Sequence, residues 1–277
     1  MRRIRKIIMV FIFFTLFIVY SLYENNIIDV EKINVTIDNL GEDLEGLKIA
    51  HLSDTHLDRN SFFIDSLQEE LENEKPDLIF ITGDLVNRDS ELEKCGLDKL
   101  CKLTSDIAPT YVVSGNHDIE HNYDAWKKII EDNGAILLDE KLEYYTKGNS
   151  SIALMGFAYY SGYYKGNVNY GYVPDDIPVI LLAHRPDNIY YYFNEENPIT
   201  PELVFCGHAH GGQVRIPFIE QGLLSPHQGL FPKYTSGIYD SPYGNGEMIV
   251  SRGLGNSRAP IRINDRIHLP IITLKSK

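Results

Sequence analysis

The chain has 277 residues, 43% of them hydrophobic, enough to bury one full core in a domain of ordinary to large size. Lys and Arg number 26 against 39 Asp and Glu, a net charge of -13. The first 23 residues hold four bases (Arg2, Arg3, Arg5, Lys6) and no acid, which leaves 22 against 39 for the remainder. So acidic a body is excluded as a non-specific nucleic-acid binder, because phosphate contacts need clustered Lys and Arg.

Residues 7–23 form an apolar run broken only by Thr15 and Ser21 and preceded by the basic residues 1–6. Such a run reads as a signal peptide or a membrane anchor. A cleaved signal should end in small residues, but here Ser21-Leu22-Tyr23-Glu24-Asn25-Asn26 follows, which favours an uncleaved transmembrane helix over 7–23. Basic residues before the span hold residues 1–6 in the cytoplasm and put the body outside it. Residues 24–46 read as a tether and a first strand, with alternation from Val30 to Ile37. Residues 47–277 then form one domain.

The apolar run 47–52 predicts a strand that leads into Ser53-Asp54-Thr55-His56. A helical pattern over 61–73 carries Phe62, Phe63, Leu67 and Leu71, and Lys75-Pro76 stops it. Strand 77–82 ends in Gly83-Asp84. A helix over 91–105 carries Leu92, Leu97, Leu100 and Leu103. Strand 110–113 ends in Ser114-Gly115-Asn116-His117-Asp118, and a helix over 122–132 holds the one tryptophan, Trp126. Strands follow at 151–157, at 178–183 ending in His184, and at 202–206 ending in Gly207-His208-Ala209-His210. A Pro/Gly-punctuated stretch, 216–246, precedes strands over 247–252 and 266–274, where Pro270 marks an edge or bulged strand. Strands separated by helices imply βαβ units; the back-to-back strands later imply a mixed sheet or a two-sheet sandwich, an α/β (α+β) class.

Five of these strand ends carry metal-ligand chemistry: Asp54 and His56, Asp84, Asn116 with His117 and Asp118, His184, and His208 with His210. The carboxyl ends of strands in α/β sheets share a crevice, so distant residues can converge there. Carboxylate, amide and imidazole donors suit Mn, Fe, Zn or Co. Cys95, Cys101 and Cys206 have no finger-type spacing and read as buried thiols, not as a thiolate zinc site. Asp54, His56, Asp84, Asn116, His184, His208 and His210 are too many donors for one four-coordinate ion. Two ions sharing a carboxylate would use them, and such a pair clamps a phosphoryl group. No H-E-x-x-H and no nucleophile elbow is present, which weakens peptidase and esterase readings.

In this order and spacing, Asp54-x-His56, Gly83-Asp84, Gly115-Asn116-His117-Asp118, His184 and Gly207-His208-x-His210 resemble the calcineurin-like metallophosphoesterase signature over 47–212. Residues 211–217 and Ser251-Arg252-Gly253-Leu254-Gly255 are similar to its membrane-anchored YkuE-like branch. The resemblance implies a four-layer αββα sandwich of two mixed sheets with a binuclear centre at the strand ends. It implies that Asp54, His56, Asp84 and His210 hold one divalent ion, that Asp84 bridges, and that Asn116, His184 and His208 hold the second. A bridging hydroxide is the implied nucleophile. His117 is then a non-ligand that protonates the leaving oxygen, with Asp118 orienting its imidazole. The implied substrate is a phosphodiester or pyrophosphate, lipid-linked in this branch, of the UDP-2,3-diacylglucosamine type. Envelope phosphoesters fit the expected topology better, since UDP-sugar lipids are made on the cytoplasmic face. A protein or small-molecule phosphomonoesterase is an alternative. So is a non-catalytic metal-binding interaction module, which would be expected to lack Asn116 or His117. A monomer with no nucleic-acid partner is expected.

Weaker features stay open between function and packing. His51 lies in a buried-looking strand and reads as core. His121, beyond the fourth strand, either lines the mouth or is an exposed turn residue. Arg185, Arg215 and Arg252 either meet a substrate phosphate or pair structurally. Tyr159-Tyr160, Tyr163-Tyr164, Tyr170, Tyr172 and Tyr190-Tyr191-Tyr192 form either an aromatic rim or loop packing. Phe218, Leu223, Leu224, Leu230 and Phe231 either cover the core or dip into a bilayer.

Overall fold

The short β-branched and aromatic runs at the centre of the fold become strands because they are buried on both faces, and two sheets supply those faces. The computed structural model describes residues 2–58, 63–120, 122–159, 170–256 and 261–277. The strands of the first half are β1 (Ile28–Ile37), β2 (Lys48–Leu52), β3 (Leu78–Thr82), β4 (Thr110–Val113) and β5 (Ile136–Leu137). Next come β6 (Leu142–Lys147), β7 (Ser150–Gly156), β8 (Val179–Leu182) and β9 (Leu203–Cys206). Two small ribbons pair β10 (Arg215–Ile216) with β11 (Gln221–Gly222) and β12 (Leu224–Ser225) with β13 (Gly229–Leu230). The chain closes with β14 (Gly237–Asp240), β15 (Glu247–Val250) and β16 (Ile267–Ser276).

The first sheet runs β1-β16-β2-β3-β4-β5 and the second β14-β15-β9-β8-β7-β6. In the first, only the β16–β2 pair is antiparallel; in the second, only the two edge pairs are. The middle of each sheet is therefore parallel, with β2, β3 and β4 ending on one rim and β8 and β9 on the other. Phe80, Tyr111, Ile180, Phe205 and Ile249 fill the space between the sheets. Helices α2 (Phe63–Glu74), α3 (Leu97–Ile107) and α5 (Tyr123–Asp132), the last preceded by the single turn α4 (Asn116–Ile119), cover the first sheet through Leu67, Leu71, Leu100, Trp126 and Ile130. The outer face of the second sheet packs Met155, Phe157, Ile189 and Phe193 under the single turn α6 (Ile189–Tyr192) and its loops. This is the expected αββα layering, with a thin fourth layer among the described residues.

Three elements differ from the sequence reading. Residues 91–96 form turns, and α3 starts only after Gly96, whose φ of 89° a helix cannot continue. Phe62 and the side chain of Phe63 lie outside the described residues, so the apolar face of α2 is carried by Leu67 and Leu71. The strand holding Pro270 is interior, with β1 on one side and β2 on the other. Proline is tolerated because the ladder with β2 begins only at Ile271. All three cysteines are buried and unbridged. Helix α1 (Arg2–Asn26) is exposed and largely apolar up to Tyr20, buries Ser21 and Glu24 at its end, and is separated from β1 by one residue, Ile27, where the sequence suggested a tether.

A second-half segment reaches back to hold the end of β2. Leu254 N–H donates to Ser53 O at 3.0 Å and Gly255 N–H to Asp54 O at 2.7 Å. That segment is held by Arg262, whose fully buried guanidinium donates to the carbonyls of Arg252, Gly253 and Gly255 and pairs with buried Asp265 at 3.5 Å. Replacing Arg262 by Ala strands those carbonyls and a buried carboxylate. We expect Arg262→Ala to lose about 3–5 kcal/mol of stability in denaturant unfolding, well above an exposed control such as Lys128→Ala.

Candidate metal centre

Each donor lies just beyond the end of a strand, and five of the seven stand on an unusual backbone. Asp54 and His56 follow β2, Asp84 follows β3, and His208 and His210 follow β9; their φ values of 50°, 43°, 53°, 67° and 46° lie in the left-handed region. Residues with side chains adopt that region at a cost, and such outliers cluster at functional sites. Close approach of the two rims needs glycines. A Cβ on Gly207 would lie 1.8 Å from Ser53 Oγ, and one on Gly115 would lie 2.2 Å from Asp84 Oδ1.

The donors then fall into three overlapping groups whose ligand atoms lie within 4.8 Å of one another: Asp54–His56–His210, His56–Asp84–His117 and Asp84–His184–His208. Asp84 Oδ2 stands 3.7 Å from His56 Nε2 and 3.4 Å from His184 Nε2. His210 Nε2 lies 3.2 Å from His56 Nε2 and 3.5 Å from Asp54 Oδ1. His208 Nδ1 meets His184 Nε2 at 3.0 Å. Asn116, 7% exposed, adds a carbonyl oxygen. Six of the seven expected donors are thus gathered in these groups, and the seventh is buried beside them.

Whether cations fit this set can be read from its unmet demands. Asp54 Oδ1, Asn116 Oδ1 and His210 Nδ1 are buried without a hydrogen-bond partner. Leaving buried polar atoms unpaired is expensive unless another charge satisfies them. Outer partners also set the tautomers. His184 Nδ1 donates to Thr82 O at 2.6 Å and His56 Nδ1 to Asn87 Oδ1 at 3.0 Å, so the Nε2 atom of each faces the cluster. A cluster of carboxylate, amide and imidazole atoms fits borderline divalent ions.

Electrostatics sharpen this. Burial pushes His56 and His210 down to about 3, leaving them neutral at pH 7. Burial also acts to lower His184, but the charge and hydrogen bond of Asp84 outweigh it and raise this imidazole to about 9. Burial would raise Asp84, yet His184 and His56 hold it well below the usual carboxylate range.

Asp118 bridges two turns. Its Oδ1 accepts from Leu85 N–H at 2.9 Å and Val86 N–H at 3.2 Å, and its Oδ2 accepts from Gly115 N–H at 2.9 Å. The carboxylate therefore stitches the turn after β3 to the turn after β4. The backbone N–H of His117 donates to Asp84 Oδ1 at 2.8 Å, and its ring makes an edge contact with the His56 ring, 4.8 Å between centroids.

Other residues separate in the same way. His51 is core, with Nε2 on Thr82 Oγ1 at 2.8 Å. Arg252 pairs with Asp29, Glu31 and Asp265, Arg185 with Asp187, and Arg215 with Gly211 O and Thr235 Oγ1, so each has a structural partner. Tyr170 and Tyr192 donate to Gly156 O and Arg185 O as loop packing, whereas Tyr172 and Tyr190 are exposed. His121, Tyr160, Tyr163 and Tyr164 lie outside the described residues. Two further residues neighbour the centre: Tyr159, named above as a possible rim residue, and His227, which sequence reasoning missed. His227 Nδ1 sits 2.8 Å from His208 Nε2, and the Tyr159 ring lies 6.0 Å from His184 and 6.2 Å from His208. His227 stands in an aperiodic Pro/Gly-rich stretch, where no pattern could have signalled it.

Comparison with known proteins agrees with this geometry. Residues 47–212 match the family model for calcineurin-like phosphoesterases. Over 246 residues the chain is 28% identical to the uncharacterized metallophosphoesterase YkuE of Bacillus subtilis (strain 168), covering 84% of this chain and 80% of that protein. Over 235 residues it is 26% identical to the phosphodiesterase YaeI of Escherichia coli (strain K12), covering 82% of each. Among solved structures, TT1561 of Thermus thermophilus aligns with a TM-score of 0.44 at 13% identity, over 76% of this chain and 90% of that one.

Two outcomes are expected. Gly115→Ala should displace the Asp84 carboxylate and leave fewer metal ions per chain than wild type by elemental analysis, with the far-UV spectrum unchanged. Because the raised His184 holds a proton that a cation must replace, metal uptake at pH 7 should release protons. Affinity should climb as pH rises toward about 9 and fall toward acid, read by titration in buffers of different ionisation enthalpy.

Proposed function

The chain belongs to the calcineurin-like phosphoesterase family and is a metallophosphoesterase, and on that footing we propose that it hydrolyses a phosphodiester or pyrophosphate bond of a lipid-linked substrate at a two-ion centre. The observation that carries this reading is the pair of clusters Asp54–His56–His210 and Asp84–His184–His208, with one Asp84 oxygen near an imidazole of each. Asp54, His56, Asp84 and His210 would hold one ion and Asn116, His184 and His208 the other, with Asp84 common to both. Divalent ions bound there would set positive charge against the phosphoryl oxygens and acidify water. The identity of the relative YaeI as a phosphodiesterase supports a diester over a monoester.

The chain's own residues supply the rest. Half-buried His117 borders the cluster, grouped with His56 and Asp84. Burial lowers its pKa, which weakens its hold on the proton that it passes to the leaving oxygen. Backbone ties from Asp118 keep the turn bearing His117 fixed against the turn bearing Asp84. The His56 and His184 imidazoles, locked by Asn87 and Thr82, need no rearrangement as charge develops.

Helix α1 is long and apolar enough to cross a membrane. In this reading it is an uncleaved anchor with Arg2, Arg3, Arg5 and Lys6 inside and the catalytic domain on the outer side. Its last turns are built into the domain, which supports retention. Buried Glu24 accepts from Asp265 N–H at 3.0 Å and pairs with Arg266 at 3.2 Å, and Tyr20 Oη donates to Asn264 at 2.6 Å. An enzyme so tethered meets phosphoesters of the membrane plane.

Full-length protein loaded with manganese should turn over nitrophenyl phosphodiesters, and a panel adding monoesters and a UDP-lipid ranks the classes. Turnover of none of them would favour a binding module. His117→Ala should reduce turnover by roughly 10²–10⁴-fold while metal content stays near wild type; loss of bound metal would instead make His117 a ligand.

A further inference from the structure

We propose that residues 216–231 form a second membrane contact, a loop and ribbon that enter the bilayer interface beside the anchor and set the metal centre against lipid headgroups. This rests on the tethered, lipid-linked reading above. The apolar side chains here do not cover the core. Phe218 is fully exposed, Leu230 is 67% exposed, and Ile219, Leu224 and Phe231 are also exposed, all outside the three apolar clusters of the fold. Soluble surfaces rarely gather so many large apolar groups in sixteen residues, and contiguous patches of this kind mark partner or membrane sites. Phe218 and Phe231 have φ values of 73° and 53°, a region bulky residues seldom adopt, so the backbone holds these rings outward at a cost.

The position of the tip selects the partner. A cavity of about 740 Å³ is lined jointly by Tyr20 and Glu24 from the end of α1 and by Arg215, Pro217 and Phe218 from the β10–β11 turn. The first apolar tip therefore lies where the apolar helix enters the domain, so a bilayer around α1 would reach Phe218 and Ile219 next. The second tip is joined to the first: Phe231 N–H donates to Leu223 O at 2.9 Å, and Gln221 Nε2 to Pro232 O at 2.8 Å. Aromatic and aliphatic side chains at that depth are what interfacial anchoring uses.

The same ribbon reaches the chemistry. Leu224 pairs with Leu230 and Ser225 with Gly229, and the turn they close carries His227, whose Nδ1 lies 2.8 Å from His208 Nε2. Residues that would touch lipid are thus one ladder step from a residue that touches a metal-ligand candidate. The substrate class this favours is a phosphoester presented at headgroup depth, with its acyl or prenyl part left in the bilayer.

The full chain can be tested in phosphatidylcholine–phosphatidylglycerol vesicles that carry doxyl-labelled acyl chains. Cys95, Cys101 and Cys206 are buried, so Phe218→Cys, Leu230→Cys and, as a control on α5, Lys128→Cys would label selectively with an environment-sensitive fluorophore. Quenching of the label at 218 or 230 well beyond that at 128 is expected; equal quenching at all three overturns the proposal, as does burial of these labels in a dimer without lipid. In a second arm, the double variant Phe218→Ser with Ile219→Ser should cut turnover of vesicle-borne hexadecyl nitrophenyl phosphate about tenfold and leave that of soluble bis(nitrophenyl) phosphate unchanged. An equal rate on both substrates overturns the proposal. Wild type inactive on both would sink the phosphoesterase reading alone, because the quenching measurement does not depend on activity.

Discussion

A buried carboxylate surrounded by imidazoles is the constraint on which the rest of this structure depends. Asp84 is 2% exposed, and burial alone would drive it to bind a proton. His184, His56 and His117 outweigh burial and keep it ionised, so charge and position are settled together. Its other oxygen is spent on the His117 N–H, which ties the turn after β4 to the turn after β3. The missing Cβ of Gly115 makes room for that contact. Without this carboxylate, His56 and His184 would lose the charged oxygen that stands between them.

Support for the centre comes mostly from the backbone. Asp118 accepts three amide N–H groups from two turns, and Asp54 Oδ2 accepts the His208 N–H at 2.8 Å across the two sheets. Arg262 holds the carbonyls of the segment that grips the Ser53 and Asp54 turn. Such contacts fix strand ends to within hydrogen-bond tolerance, which is what a preorganised site needs. They also explain why the donors tolerate left-handed backbone: each strained residue lies between ordered neighbours that leave it no alternative.

The apolar helix and the domain are parts of one structure. Glu24 and Tyr20 near the end of α1 bond to Asp265 and Asn264, close in sequence to Arg262. The end of the helix is therefore bonded to the same C-terminal segment that supports the Asp54 turn. On the proposed reading, with the helix and the apolar ribbon in one membrane, His227 would link the ribbon to His208 from the other side.

Much was legible in the chain by itself. Apolar runs ending in Asp, Asn and His marked the strands that bear them and the candidate donors, because strand burial and metal ligation each demand a narrow set of residue types. The length and continuity of residues 7–23 likewise marked the apolar helix. Boundaries were less secure: Gly96 delayed α3, and Pro270 suggested an edge strand where β16 is interior. What only the tertiary structure decided depends on partners distant in sequence. Asp118 looks like a companion of the adjacent His117, yet its hydrogen bonds go to Gly115, Leu85 and Val86. His227 and Arg262 carry no local signal at all. Local pattern records what a residue must be in its own element, whereas a hydrogen bond or an ion pair is settled by which element folds against it.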